Sequence, residues 1–182
     1  MAQLRFLKVQ TPALRWRRGG RERRFGAHTF LAVTDGAGQV LRELHGIARG
    51  PGGTQLASLG GVVPFRREVL WGESWSGRSG FYDESFPQGV LWAGDEAEAA
   101  ARLEAAEAVR AAVNARAVRY PWPAFAGANS NSYYATLLAG MGLDDVRLAG
   151  ELWGPGLRRR LLPGAVLSEI ASDLHRSLAG GE

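Results

Sequence analysis

The chain's 182 residues are enough for one domain with a sizeable core, and 46% hydrophobic against 22% charged residues is a globular balance, not a disordered one. No apolar run approaches the ~18 residues of a membrane helix, and a net charge of +4, carried by arginine with Lys8 as the only lysine, is too small to argue for a nucleic-acid partner. Cysteine is absent, which removes disulfides, thiolate metal sites and a cysteine nucleophile together, and leaves His28, His45 and His175 as the side chains that ordinarily titrate near neutral pH.

The opening "MAQLRFLKVQTPALRWRR" has no uninterrupted apolar core and no small-residue cleavage site, so no signal peptide is expected. The expected compartment is the cytoplasm, or the exterior by a route that needs no such peptide. Residues 3–9 alternate apolar and polar and predict a short strand. "RWRRGGRERR" (15–24) reads as a solvated basic loop interrupted by Gly19 and Gly20. "AHTFLAVTDGAGQVLRELHGI" (27–47) predicts a hairpin around Asp35–Gly38. If Thr34 faces Gln39, His28 lies opposite His45 with Cβ atoms ~5 Å apart. Glu43 and Leu44 are then also near His28, and a slip of one residue would turn His45 to the other face.

Residues 48–66 are rich in Gly and Pro and predict a loop. Its "GPGGTQLASLGG" lacks the lysine of a phosphate-binding P-loop. "EVLWGESWSG" (68–77) predicts a strand and turn, and "GVLWAG" (89–94) a short buried strand. Asp95 is the expected N-cap of an Ala-rich helix over 96–117, with Leu103, Ala106, Val109 and Val113 facing the core and Glu98–Arg102 paired on its surface. Pro121 and Pro123 break that helix. Further helices are expected over 132–141 and 164–178, the second with Leu167, Ile170, Leu174 and Leu178 on one side and His175 solvated. No repeat or linker divides the chain, so residues 1–182 are expected to form a single α+β domain: a small antiparallel sheet packed against about three helices.

The segment "GANSNSYYATLL" (127–138) carries the candidate chemistry. Ser130 or Ser132 would cap the helix by accepting a bond from a first-turn amide, a contribution of ~1 kcal/mol. A hydroxyl at a helix start also faces unpaired amides and the positive end of the helix dipole, which stabilise a developing oxyanion. As a nucleophile, Ser130 needs a base. His28 is the candidate, with His45 or Glu43 to orient it; the alternative for His45 is a strand-end residue. Asn129 and Asn131 suit a tight turn, with oxyanion donation as the second reading of Asn129. Tyr120, Trp122, Asn131, Ser132 and Tyr133 are the candidate lining of a cleft for a peptide, acyl or glycan ligand, against core packing for the aromatics. No His/carboxylate pair sits at metal-ligand helical spacing and no dinucleotide fingerprint occurs, so neither metal nor cofactor is expected.

A histidine heading a strand, followed much later by Asn129, Ser130, Asn131, Ser132 and Tyr133 at a helix start, resembles the circularly permuted papain-like (NlpC-type) hydrolases, whose "Asn-Cys-Asn-x-Phe" would put a cysteine where Ser130 stands. A bacterial domain family of unknown function is more similar still. It pairs a "His-Thr-Trp-Ile-Ala-Val"-like strand with "Tyr-Pro … Pro-Gly-Pro-Asn-Ser-Asn-Thr-Phe". Here "HTFLAV" occupies 28–33, "YP" 120–121 and "AGANSNSY" 126–133, with Ala126 and Ala128 replacing the prolines and Ser132-Tyr133 replacing Thr-Phe. The similarity covers mainly 27–47 and 120–143. The papain-like resemblance implies a permuted papain-like fold and a hydrolase or acyltransferase acting on an amide or ester bond, such as those of peptidoglycan or a peptide, while the family of unknown function implies the site and no activity. The serine also leaves open a catalytically silent module that binds a peptide, acyl or glycan ligand.

Overall fold

The structure is a computed structural model that describes residues 3–54, 68–120 and 127–180, with the side chains of 14–18 and 21–24 left aside. Its strands are β1 (Leu4–Arg18), β2 (Arg21–Thr34), β3 (Val40–Arg49), β4 (Val69–Ser76) and β5 (Gln88–Gly94); its helices are α1 (Glu96–Ala115), α2 (Ser130–Gly140) and α3 (Gly164–Ala179). The strands form one antiparallel sheet in the order β4-β3-β2-β1-β5. This is the α+β architecture expected, a sheet with three helices. None of the described helices is long and apolar enough to cross a membrane.

Two elements depart from expectation. Residues 15–24 are not a loop: β1 and β2 pair in one register from Arg5↔Thr34 to Arg18↔Arg21, interrupted only between Pro12↔Ala27 and Leu14↔Phe25. Gly19 and Gly20, at φ 58° and 75°, make the two-residue turn, because consecutive left-handed residues match the twist of a hairpin and glycine takes that conformation without a Cβ clash. β5 is not buried either. It is an edge strand whose Val90 is exposed.

The sheet has two apolar faces. Leu31 and Val33 of β2, Leu44 of β3 and Leu70 of β4 point towards the helices, where they meet Val109 and Val113 of α1, Tyr133, Leu137 and Leu138 of α2, and Leu167, Ile170 and Leu174 of α3. The opposite face carries a smaller cluster of Val9, Phe30, Ala32, Val40 and Tyr82. Asp95 caps α1 as expected, accepting from the Glu98 N–H at 2.9 Å. Arg102, however, donates to the Met141 carbonyl (2.7 Å) and stands over the Trp92 ring, so it ties α1 to the end of α2.

The hairpin register places the histidines. β2 and β3 pair as Leu31↔Leu44, Ala32↔Glu43 and Val33↔Arg42, two positions from the expected register. One position comes from the turn, where Asp35 N–H bonds to the Gln39 carbonyl. The other comes from a bulge at Leu41, between Val33↔Arg42 and Thr34↔Val40. Two shifts restore the parity of a period-2 strand, so His45 stays on the same face as His28, displaced diagonally.

Candidate functional site

Glu43 and His45 alternate with core-facing Leu44, and His28 alternates with Leu31's side of β2. All three therefore share the sheet face that carries Phe30, away from the helices. There they form a chain. His28 Nε2 lies 3.0 Å from His45 Nδ1, and His45 Nε2 lies 2.7 Å from Glu43 Oε2. The loop after β4 closes the chain: Ser79 donates its N–H to Glu43 Oε1 (2.7 Å) and its hydroxyl to Oε2. Glu43 and His45 are fully buried.

This network fixes the tautomers. A carboxylate only accepts, so His45 carries its proton on Nε2 and presents a lone pair at Nδ1. His28 then donates from Nε2, which leaves its Nδ1 as the unprotonated nitrogen. Burial raises the Glu43 pKa, but the hydrogen bonds from His45 and Ser79 outweigh it and hold the carboxyl below its ordinary range. Burial lowers the His45 pKa by more than Glu43 raises it. Burial, then the neighbouring His45, push His28 down to about 3. Both imidazoles are therefore neutral at pH 7. The rings sit in an aromatic surround: Phe30 stacks on His45 at 4.2 Å, Trp75 lies 4.4 Å from it, and the exposed Phe81 lies 5.2 Å from His28.

The start of α2 reaches this strand at His28. β3 leaves β2 after Leu44 and continues alongside β4, which exposes the β2 backbone at Ala27 and Thr29. Asn131 fills the opening. Its Oδ1 accepts from the Thr29 N–H at 2.9 Å, and its Nδ2 donates to the Ala27 carbonyl at 3.0 Å, so the carboxamide pairs with the strand as a neighbouring peptide would. It also donates to the Pro155 carbonyl (3.0 Å). Tyr133 wedges the helix down: a Cβ on Gly46 would lie 2.5 Å from its Cβ, so only glycine lets α2 approach β3 this closely.

These contacts revise several expected roles. Neither serine caps α2. Asn129 is the N-cap, its Oδ1 accepting from the Ser132 N–H at 3.1 Å, and its Nδ2 donates to the Pro155 carbonyl at 2.9 Å, so its amide holds a loop and does not face an oxyanion. Asn131 is a helix-to-strand bolt and not a turn residue. Ser132 and Tyr133 are fully buried and line no cleft. Trp122 lies outside the described residues. Tyr120 remains at the site. Its phenol hydrogen-bonds with the Ser130 hydroxyl and N–H, which offset part of the rise that burial imposes and leave its pKa above the ordinary value. Ser130 is buried, and among the described residues its hydroxyl engages Tyr120, while the His28 hydrogen bond goes to His45. His45 bonds His28 and Glu43 bonds His45, in series.

Ser79, Trp75 and Phe81 were not singled out from the sequence. Ser79 and Phe81 lie in an irregular loop and act through contacts 36 residues apart or across strands, for which a single sequence carries no spacing signal. Among the described residues no group of three His, Asp or Glu side chains is disposed to hold a metal ion. Comparison with protein-family models, with curated proteins and with solved structures finds no match to this chain.

Proposed function

We propose that the chain is a hydrolase or acyltransferase of amide or ester bonds, with Ser130 as nucleophile and His28 as general base. The supporting observation is the Glu43–His45–His28 chain ending on a strand whose backbone is bonded on both sides of His28 by Asn131, the residue that follows Ser130. Polar groups in series, two of them fully buried, are costly unless each is satisfied, and a neutral histidine held in one tautomer keeps a lone pair that can take a proton.

The proposed reaction requires the Ser130 hydroxyl to leave Tyr120 and reach His28 Nδ1 past the edge of β2 that Asn131 covers, give up its proton there and attack the carbonyl. The carbonyl oxygen takes the negative charge beside the Ser130 N–H and the neutral Tyr120 phenol, both donors. His28 then returns the proton to the departing amine or alcohol, and a water or second acceptor releases the acyl group. Tyr120 thus moves from cleft lining to oxyanion donor. Peptidoglycan or another peptide-like amide is the substrate class to try first, on the papain-like resemblance alone.

A second reading, a silent binding module for a peptide, acyl or glycan ligand, is favoured by one observation: the hydroxyl of Ser130 pairs with Tyr120. Hydrolysis of a panel of p-nitrophenyl esters and peptidoglycan fragments separates the two. Turnover lost in both Ser130→Ala and His28→Ala, with unchanged circular dichroism, supports the enzyme. Turnover absent in the parent chain, or surviving both substitutions, supports the binding module.

A further inference from the structure

A groove of about 890 Å³ runs along residues 145–160, on the helix side of the sheet, and neither His28 nor Ser130 lines it. Its walls include Arg147, Arg158 and Arg160, the carboxylates Asp145 and Glu151, and Trp153. The charges do not cancel among themselves. Lys8, almost wholly buried on β1 beneath the loop, donates to Glu151 at 2.6 Å and to Asp145 at 3.1 Å, and the Tyr134 hydroxyl donates to Asp145 at 2.8 Å. Both acids are thereby satisfied from below. No described carboxylate pairs with Arg147, Arg158 or Arg160.

The loop that carries these arginines is held in shape. Lys8 also donates to the Val146 carbonyl (2.8 Å), and the buried Gln10 accepts from the Leu152 N–H at 2.8 Å. The Trp153 carbonyl accepts from the Ala27 N–H, and the Pro155 carbonyl accepts from both Asn129 and Asn131. Gly156 lies against the start of α2 so closely that a Cβ would meet Asn129 Oδ1 at 2.6 Å. The Trp153 ring is about half exposed and leans on Phe25 at 5.3 Å, which makes a fixed apolar wall beside the cations. Burying a lysine and a glutamine to fix a surface loop has a desolvation cost that core packing would avoid. Lys8 and Gln10 offset it through the bonds just described, and the loop they hold carries three guanidinium groups, unpaired with any described carboxylate, around a groove of ligand size, where a forked cation matches an oxyanion and a held backbone loses less entropy on binding.

We infer that this groove binds a small molecule bearing a carboxylate or phosphate group, with the oxyanion on Arg147, Arg158 and Arg160 and an apolar portion against Trp153. The proposal stands apart from the Ser130 reaction, since the groove binds whether or not Ser130 reacts.

Calorimetric titration of the full chain with inorganic pyrophosphate and, separately, with citrate tests it and tells the phosphate source from the carboxylate one. Binding of either, weakened roughly tenfold or more by Arg158→Gln with Arg160→Gln, left unchanged by Arg176→Gln on α3 and unchanged in Ser130→Ala, is the expected result. Arg158→Lys with Arg160→Lys should recover only part of the affinity, because the charge returns without the fork. No binding of either probe, or equal weakening by Arg176→Gln, overturns the assignment. Absence of esterase activity in the parent chain would sink the reaction and leave this result standing.

Discussion

Replacing Asn131 by Ala removes the carboxamide that stitches α2 to β2. Asn131 is 2% exposed, and its loss strands two backbone groups, the Thr29 N–H and the Ala27 carbonyl, while the Pro155 carbonyl keeps its bond from Asn129. A net hydrogen bond contributes about 1 kcal/mol, and a buried group left unpaired costs 1 to 3 kcal/mol, so the loss is about 3 kcal/mol. Helix propensity works in the opposite direction, since alanine is the better helix former. A destabilisation therefore cannot come from the helix itself. In a domain of this size about 3 kcal/mol lowers Tm by roughly 6–12 °C. Urea unfolding followed by tryptophan fluorescence, with Ser172→Ala on the exposed face of α3 as a control, gives both numbers. A change under about 1 kcal/mol would mean that α2 is seated by apolar packing alone, and the reasoning that brings its first turn to His28 would be wrong.

Acidification supplies a second test. Both histidine pKa values are lowered in the folded state, so the unfolded chain binds more protons below about pH 6.5 and stability falls as pH drops; for His28 the window runs from about pH 6.5 to pH 3, with a slope of up to about 1.4 kcal/mol per pH unit, and His45 adds in the same direction. Urea midpoints at pH 7, 6 and 5 should decline, and His28→Ala should flatten the slope; a flat parent profile contradicts the buried neutral pair. Glu43→Gln places an amide N–H against the donors of His45 and Ser79, with an expected loss of 1 to 3 kcal/mol and of any esterase activity; full activity would remove Glu43 from the chain of orienting groups. Gly46→Ala drives a Cβ into Tyr133, with an expected cost of about 1–3 kcal/mol in thermal melts; a neutral result would mean that α2 sits further from β3.

The legible parts of the fold were those with local signatures. Asp95 before an acidic, Ala-rich run announces α1, the Leu167–Ile170–Leu174 stripe announces α3, and alternation around Asp35–Gly38 announces the second hairpin. The arginine run at 15–24 concealed the first hairpin, since charge patterning predicts solvation but does not forbid a strand, and the Gly19–Gly20 turn was the signal to weigh. His28, His45 and Glu43 came together as read although the register was off by two, because period-2 alternation forgives an even error. The bulge at Leu41, the bolt at Asn131 and the closing of the chain by Ser79 are set by partners far along the chain. The same holds for Lys8, whose burial beneath Asp145 and Glu151 has no local mark.

The account rests on Ser130 being a nucleophile served by His28. Incubation of the full chain with a fluorophosphonate at pH 7, followed by intact-mass and peptide analysis, reads this directly. One phosphonyl adduct on Ser130, absent in Ser130→Ala and strongly slowed in His28→Ala, is the predicted result. No adduct, or one on another residue formed at the same rate without His28, would contradict it.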